Sequence, residues 1–71
     1  MQLDLENMFK YHAPTEDQVF RYGVLRDEAK LFAYAILEYA PESAERTLAI
    51  RKVQEAVMWA NASIALNESK E

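Results

Sequence analysis

A chain of 71 residues with a formal net charge of −4, half of it hydrophobic and without a cysteine, is one domain that must hold together without disulfides or thiolate-bound metal. Its single histidine, His12, does not make a zinc site, and its acidic balance speaks against nucleic-acid binding through a basic surface. One glycine and two prolines do not describe a disordered chain, and among the devices small domains use, oligomerisation is the one left.

The first segment, residues 1–14, opens with "MQLDLENMF". It is acidic and lacks the apolar core of a signal peptide. No run in the chain approaches the roughly 18 apolar residues of a membrane span, so a cytosolic location is expected. Asp4 to Lys10 can form a helical turn or two. "YHAPT" breaks it, because Pro14 pushes Ala13 out of the helical region. Thr15 reads as an N-cap with Gln18 three residues on, a capping box, and Glu16 and Asp17 suit the positive helix end. A helix is expected over 16–39. "APES" is a turn, and Pro41 with Glu42 and Glu45 reads as the start of a second helix over 41–67. "ESKE" reads as a polar, frayed tail. So short a connection folds the two helices back on each other, and the expected architecture is all-α: an antiparallel two-helix hairpin with a short N-terminal helical segment, one domain over 1–71.

Both helices are apolar on more than one side. In the first, Tyr22, Leu25, Ala29, Phe32, Ile36 and Tyr39 recur at spacings of three and four. In the second, Ile50, Val53, Val57, Ala60 and Ile64 do so. These are the expected seam of the hairpin. Opposite them lie Phe20, Val24, Leu31 and Ala35, and Leu48, Trp59, Ala62 and Leu66. A two-helix hairpin buries only one set, so the other is expected to meet neighbouring copies. Trp59 reads as an interface anchor in preference to a ligand platform.

Some residues stand outside that pattern. Gly23 sits in a helix interior at a cost of about 1 kcal/mol relative to alanine. Arg26 and Lys30 follow on its face, which leaves room either for a ligand or for close helix contact. Tyr11, beside the rigid turn, either stacks on a base or packs the N-terminal segment onto the hairpin. His12 reads as a surface or hydrogen-bonding residue. Arg46, with Thr47 beside it, lies near the second turn among Ala44, Ala49 and Ile50. Pairs Arg46–Glu42 and Lys52–Glu55 are expected on the surface. There is no nucleophile–base pair, no carboxylate pair on an apolar background and no glycine-rich phosphate loop, so an enzyme is not expected, and neither a cofactor nor a metal is implied.

"YHAPTEDQVFRYGVLRDEAK" followed by "PESAERTLAIRKVQEAVMWANASIA" resembles a family of small phage proteins, the anti-CBASS sponges, whose hairpin domain also occurs in anti-Thoeris sponges. The resemblance covers about Tyr11 to Ala65 and is most specific from Arg46 onward. It implies a homo-oligomer, typically a hexamer, that holds cyclic nucleotide messengers intact between subunits in the cytoplasm of an infected bacterium. By residue, Tyr11 matches a tyrosine that stacks on a base of a cyclic dinucleotide. Arg26 falls where some relatives carry a phosphate-binding lysine, so the resemblance gives the phosphate role to Arg26, to Lys30 or to both. Arg46, with Thr47, matches a second site that some relatives use for cyclic trinucleotides. The resemblance does not choose among cyclic dinucleotides, cyclic trinucleotides and cyclic ADP-ribose derivatives. From the acidic charge and the lack of a long apolar run, neither DNA nor a membrane is expected as a partner. The competing reading is a small helical oligomeric interaction module with no nucleotide ligand. A DNA-binding regulator ranks last, since no helix is basic.

Overall fold

Each helix begins on a side chain that takes up one of the orphan N–H groups of its first turn. In the computed structural model, which describes residues 3–68, there are three helices and no strand among those residues: α1 (Leu5–Met8), α2 (Glu16–Tyr39) and α3 (Ala44–Asn67). The Asp4 carboxylate accepts from Asn7 N at 3.2 Å and starts α1. At Thr15 the capping box is complete: Thr15 Oγ1 accepts from Gln18 N at 3.1 Å, and Gln18 Oε1 accepts from Thr15 N at 3.0 Å. The expected tail beyond Glu68, Ser69 to Glu71, lies outside the described residues.

The second long helix starts later than residue 41. Its N-cap is Ser43, whose hydroxyl accepts from Arg46 N at 3.0 Å and donates to the Pro41 carbonyl at 3.1 Å. Pro41 therefore lies in the connection, not in the first turn, and of the two glutamates only Glu45 is in that turn. The reason is local competition. A serine hydroxyl caps better than the preceding residues, and Ala40, ahead of a proline, is held extended at φ −111° and ψ 138°.

The connection turns α3 back along α2, so the start of α2 meets the end of α3. In α3 the half-buried residues include Ile50, Val53, Val57, Ala60 and Ile64, the row read from the sequence. In α2 the inward row is Tyr22, Leu25, Ala29, Ala33 and Ile36, and the extended C-cap residue Ala40 is half-buried beyond it. Two expectations fail here. Phe32 and Tyr39 are 59% and 85% exposed, and Ala33 and Ala40 take their places. The row chosen from the sequence advances by less than 3.6 residues per turn, so it drifts off the face that the straight helix presents.

Ion pairing gathers where the termini of the long helices meet. Glu68, the C-cap of α3, accepts from Arg21 Nη1 at 2.8 Å through one carboxylate oxygen. Its other oxygen accepts from Arg21 Nη2, and from Gln18 Nε2 at 3.3 Å. Arg21 Nε also donates to Asp17 at 2.8 Å. Glu68 is thus clasped and does not belong to a frayed tail. Bonds from Arg21 first, and then from Gln18, hold the Glu68 carboxyl down to about 2 from its ordinary 4.5.

What the fold lacks is an enclosed core. Among the described residues no hydrophobic side chain is buried, and the one buried residue is the polar Gln18. The chain exposes 6193 Å², whereas a compact monomer of this mass would expose about 4,500 Å². Its radius of gyration is 15.3 Å, against about 11 Å for a compact domain of this length. Phe20, Leu31, Leu48 and Trp59 all lie more than half exposed. Two helices share one seam, and most of what lies off it faces outward; Ala62 and Leu66, expected on the outer set, are instead half-buried, in the part of α3 that meets the start of α2 and the N-terminal segment.

Two outcomes follow from this architecture. If copies supply the missing core, the melting temperature rises with protein concentration, and Trp59→Ala lowers both the melting temperature and the mass of the assembly. A melting temperature independent of concentration, with mass unchanged in the variant, would show that the hairpin stands alone. The second outcome concerns acid. A carboxyl held low in the fold contributes stability that is complete above its unfolded value of about 4.5 and is lost as pH falls through about 2. Protection of the amides in the last turn of α3, measured against their intrinsic exchange rate at each pH, should therefore fall between pH 5 and 2, an effect that Glu68→Gln flattens and high salt weakens, because the pair is only partly shielded.

Candidate functional site

Grooves flank the seam on both sides, because Ala29, Val53 and Val57 line both of them. One groove, of about 610 Å³, has Leu25, Phe32 and Ile36 on its α2 wall and Ala49 and Ala56 on its α3 wall, with Glu28 and Lys52 also lining it. The other, of about 430 Å³, carries Arg26 and Lys30 on α2, and Gln54 and Met58 on α3. The two cations lie one helical turn apart, as i,i+4 spacing requires, with aliphatic floor between them and α3.

Their lack of partners is informative. Arg21 is committed to Asp17 and Glu68. Lys52 is committed to Glu55 at 3.4 Å, as expected from their spacing. Among the described residues Arg26 and Lys30 make neither an ion pair nor a side-chain hydrogen bond within the chain. In a chain of net charge −4, two cations left unpaired side by side on one groove form a local positive patch. A guanidinium and an ammonium at that spacing suit an anion with more than one oxygen, such as a phosphate diester.

Gly23 stands one turn before Arg26 on the same face. A Cβ built there would meet only Arg26 Nη2, at 3.5 Å, which is ordinary contact with the tip of a flexible side chain. The backbone at Gly23 has no positive φ. Nothing within one chain requires glycine at this position. Only the flexible tip of Arg26 covers Gly23, so a ligand or another copy that draws the guanidinium aside can reach this backbone.

Arg46 is differently placed. Its Nη1 donates to the carbonyls of Leu37 and Ala40, at 3.4 and 3.3 Å. It thus serves orphan carbonyls at the C-terminus of α2, where a cation also suits the helix dipole. The expected pair with Glu42 does not form. The carbonyls win because the Ser43 cap sets the first turn of α3 against the end of α2. Both bonds are long for N–H···O, so the guanidinium is lightly held. Thr47 beside it is exposed.

Tyr11 is 83% exposed, in the non-helical segment between α1 and α2. Arg26 lies about 15 Å along the α2 axis from Glu16, and Arg46 sits at the turn, about 20 Å beyond Arg26. One chain therefore brings Arg26 and Lys30 together and leaves Tyr11 and Arg46 apart from them. The outer face adds a small polar group: Trp59 Nε1 donates to Glu55 at 3.2 Å. That bond first, and Lys52 second, lower the Glu55 carboxyl below its ordinary range. The sequence reading passed over two groups whose bonds are long-range: Asn7, bonded to the Leu66 carbonyl at 3.1 Å, and Glu68. Only the fold puts their partners beside them.

Among the described residues no cluster of His, Asp and Glu is arranged to hold a metal, and no helix is long and apolar enough to cross a membrane. Replacing Gly23 by alanine should stabilise α2 by about 0.5–1 kcal/mol in thermal or denaturant unfolding, the usual gain in a helix interior. A loss of stability would show instead that another backbone packs on this position in the assembly.

With this geometry in place, the comparison with known families gives one match. The family model described as Acb2/Tad1, hairpin domain, matches residues 1–65. The chain belongs to that family, the anti-CBASS and anti-Thoeris sponges. No curated protein and no solved structure matches.

Proposed function

We propose, with membership of the Acb2/Tad1 hairpin family as the premise, that this chain binds cyclic nucleotide messengers and withholds them, uncleaved, from CBASS or Thoeris receptors in the cytoplasm of an infected bacterium. The observation that carries the reading on this chain's own residues is the pair of cations unpaired among the described residues, Arg26 and Lys30, side by side on a groove, with the flexible tip of Arg26 over Gly23. Sequestration needs affinity and no chemistry. The family is known for binding such signals, and the residues here offer what binding requires: two cations for phosphate oxygens, and in Tyr11 an exposed ring that stacks with little side-chain entropy to lose.

Geometry favours a site shared between copies. Tyr11 and Arg26 lie on parts of one chain that the hairpin does not converge. A copy packed on the exposed apolar face can bring the Tyr11 of one chain to the Arg26 and Lys30 of another. Such an assembly, a hexamer in this reading, also covers the surface that a lone hairpin leaves in water. Arg46 and Thr47 would form the second site at the turn. A ligand there competes with the Leu37 and Ala40 carbonyls for the guanidinium, and phosphate oxygens are stronger acceptors than those long contacts. The ligand panel in this reading comprises cyclic dinucleotides, cyclic trinucleotides and cyclic ADP-ribose derivatives.

The test is calorimetric titration of the assembled protein with that panel, followed by denaturation and recovery of the ligand. Tight binding with intact recovery is the expected result. Recovery of a linear product would make the protein an enzyme, and silence from a well-folded oligomer would favour the interaction module. In the same titration Tyr11→Ala and Arg26→Ala should each weaken dinucleotide binding by about 10- to 100-fold, the range for a stacked base or a charge-assisted hydrogen bond, with the mass of the assembly unchanged. Parent-like binding by both variants would remove these residues from the site.

A further inference from the structure

Tyr11 lies in a segment with no helix of its own, yet that segment is tied down on both sides, and both ties end on the last turn of α3. On the N-terminal side His12 Nε2 lies 2.8 Å from the Asn7 carbonyl, and Asn7 Nδ2 donates to the Leu66 carbonyl at 3.1 Å. The Leu66 carbonyl is one of the last four of α3, which have no partner further along the helix. Asn7 fills that vacancy from across the fold. On the C-terminal side Thr15 N donates to Gln18 Oε1, and Gln18 Nε2 donates to Glu68, the residue that caps α3 and is gripped by Arg21. Gln18 is 8% exposed, so this tie is sheltered from water. Between the two ties, Pro14 narrows the freedom of the chain further.

The atoms also fix how His12 is used. A carbonyl can only accept, so Nε2 carries the proton and donates. Nδ1 is buried without a partner. His12 is therefore committed, through one nitrogen, to holding the loop from Asn7 to His12 closed, and its neighbour Tyr11 projects from that loop, 83% exposed.

We infer that Asn7 and His12 are positioning residues for Tyr11: the relay from His12 through Asn7 to the Leu66 carbonyl holds the exposed ring ready to stack, without touching the ligand. The inference rests on the proposed role of Tyr11. A ring presented on an untethered loop would lose conformational freedom on binding, and fixing it beforehand removes that cost. The C-terminal end of α3 thereby acts on a ring that belongs to the other end of the sequence.

The experiment uses the whole assembled protein and two readouts. Amide hydrogen exchange over residues 9–15 is measured for the parent, His12→Phe, His12→Gln and Asn7→Leu. Affinities for cyclic di-AMP and cyclic di-GMP are measured by calorimetry on the same proteins and in a Tyr11→Ala background. Removing the donor, in His12→Phe or Asn7→Leu, should speed exchange in that segment while leaving α2 and α3 protected. It should also weaken binding by about three- to tenfold, the worth of one hydrogen bond. His12→Gln, which restores a donor at the reach of Nε2, should recover most of both. In the Tyr11→Ala background the His12→Phe penalty should vanish, because the only route from His12 to the ligand has been cut. A penalty that persists there would make His12 a direct ligand contact and overturn the inference. Unchanged exchange over 9–15 would overturn it as well, whether or not either nucleotide binds. A parent that binds neither nucleotide while its segment 9–15 loosens in the variants would instead count against the proposed function and leave the tether standing.

Discussion

The constraint on which the rest of this structure depends is that two helices have only one mutual seam. Each long helix of this chain is apolar on more than that seam, so no arrangement within one copy can enclose its hydrophobic side chains. The result is a fold whose one buried residue, among those described, is a glutamine and whose large aromatic and aliphatic side chains are mostly exposed. At the usual worth of buried apolar surface, a seam of this kind supplies little beyond the entropy of ordering the chain. The excess surface is the feature around which the proposed assembly, and the ligand sites between copies, are organised.

Against that apolar surface the polar interactions are concentrated at the two ends of the hairpin. At the turn, the Ser43 cap and Arg46 serve the backbone groups that the ends of α2 and α3 leave open. At the other end, Gln18, Arg21 and Glu68 join the first turns of α2 to the last of α3, and Asn7 adds α1. The middle of the hairpin has no such clasp. It has small residues on the seam and a groove on each side, one of them bearing Arg26 and Lys30. Fixed ends and an open middle suit a subunit that is held in register by its own polar contacts and completed along its length by something else.

Much of this was legible in the sequence. The capping box at Thr15 and Gln18, the break at Pro14, the helical periodicity and the lone helical Gly23 are local signals, and each depends on residues no more than a few positions apart. The pair Arg26 and Lys30 is legible for the same reason, since i,i+4 spacing fixes a shared face before any fold is known. The misreadings are equally physical. Phe32 and Tyr39 were placed on the seam because large apolar side chains dominate a hydrophobic row, yet the half-buried residues are Ala33 in the helix and Ala40 at its C-cap. Pro41 was read as a helix start because the hydroxyl cap two residues later is a near competitor, and the stronger cap won. Arg46 was paired on paper with Glu42, and the carbonyls at the end of α2 were beyond the reach of a reading by spacing.

The sequence by itself determined the helices, the hairpin, the absence of cysteine chemistry and the surplus of apolar surface, because these follow from local propensity and from composition. The tertiary structure alone decided which row of α2 faces α3, that Glu68 is clasped by Arg21, that Asn7 completes the end of α3, and that Arg26 and Lys30 have no partner among the described residues. Those outcomes depend on residues far apart in the chain meeting at one end of the hairpin or failing to meet in its middle. Such a meeting is set by the register of two helices and by the length of the turn between them, and no single stretch of sequence carries either.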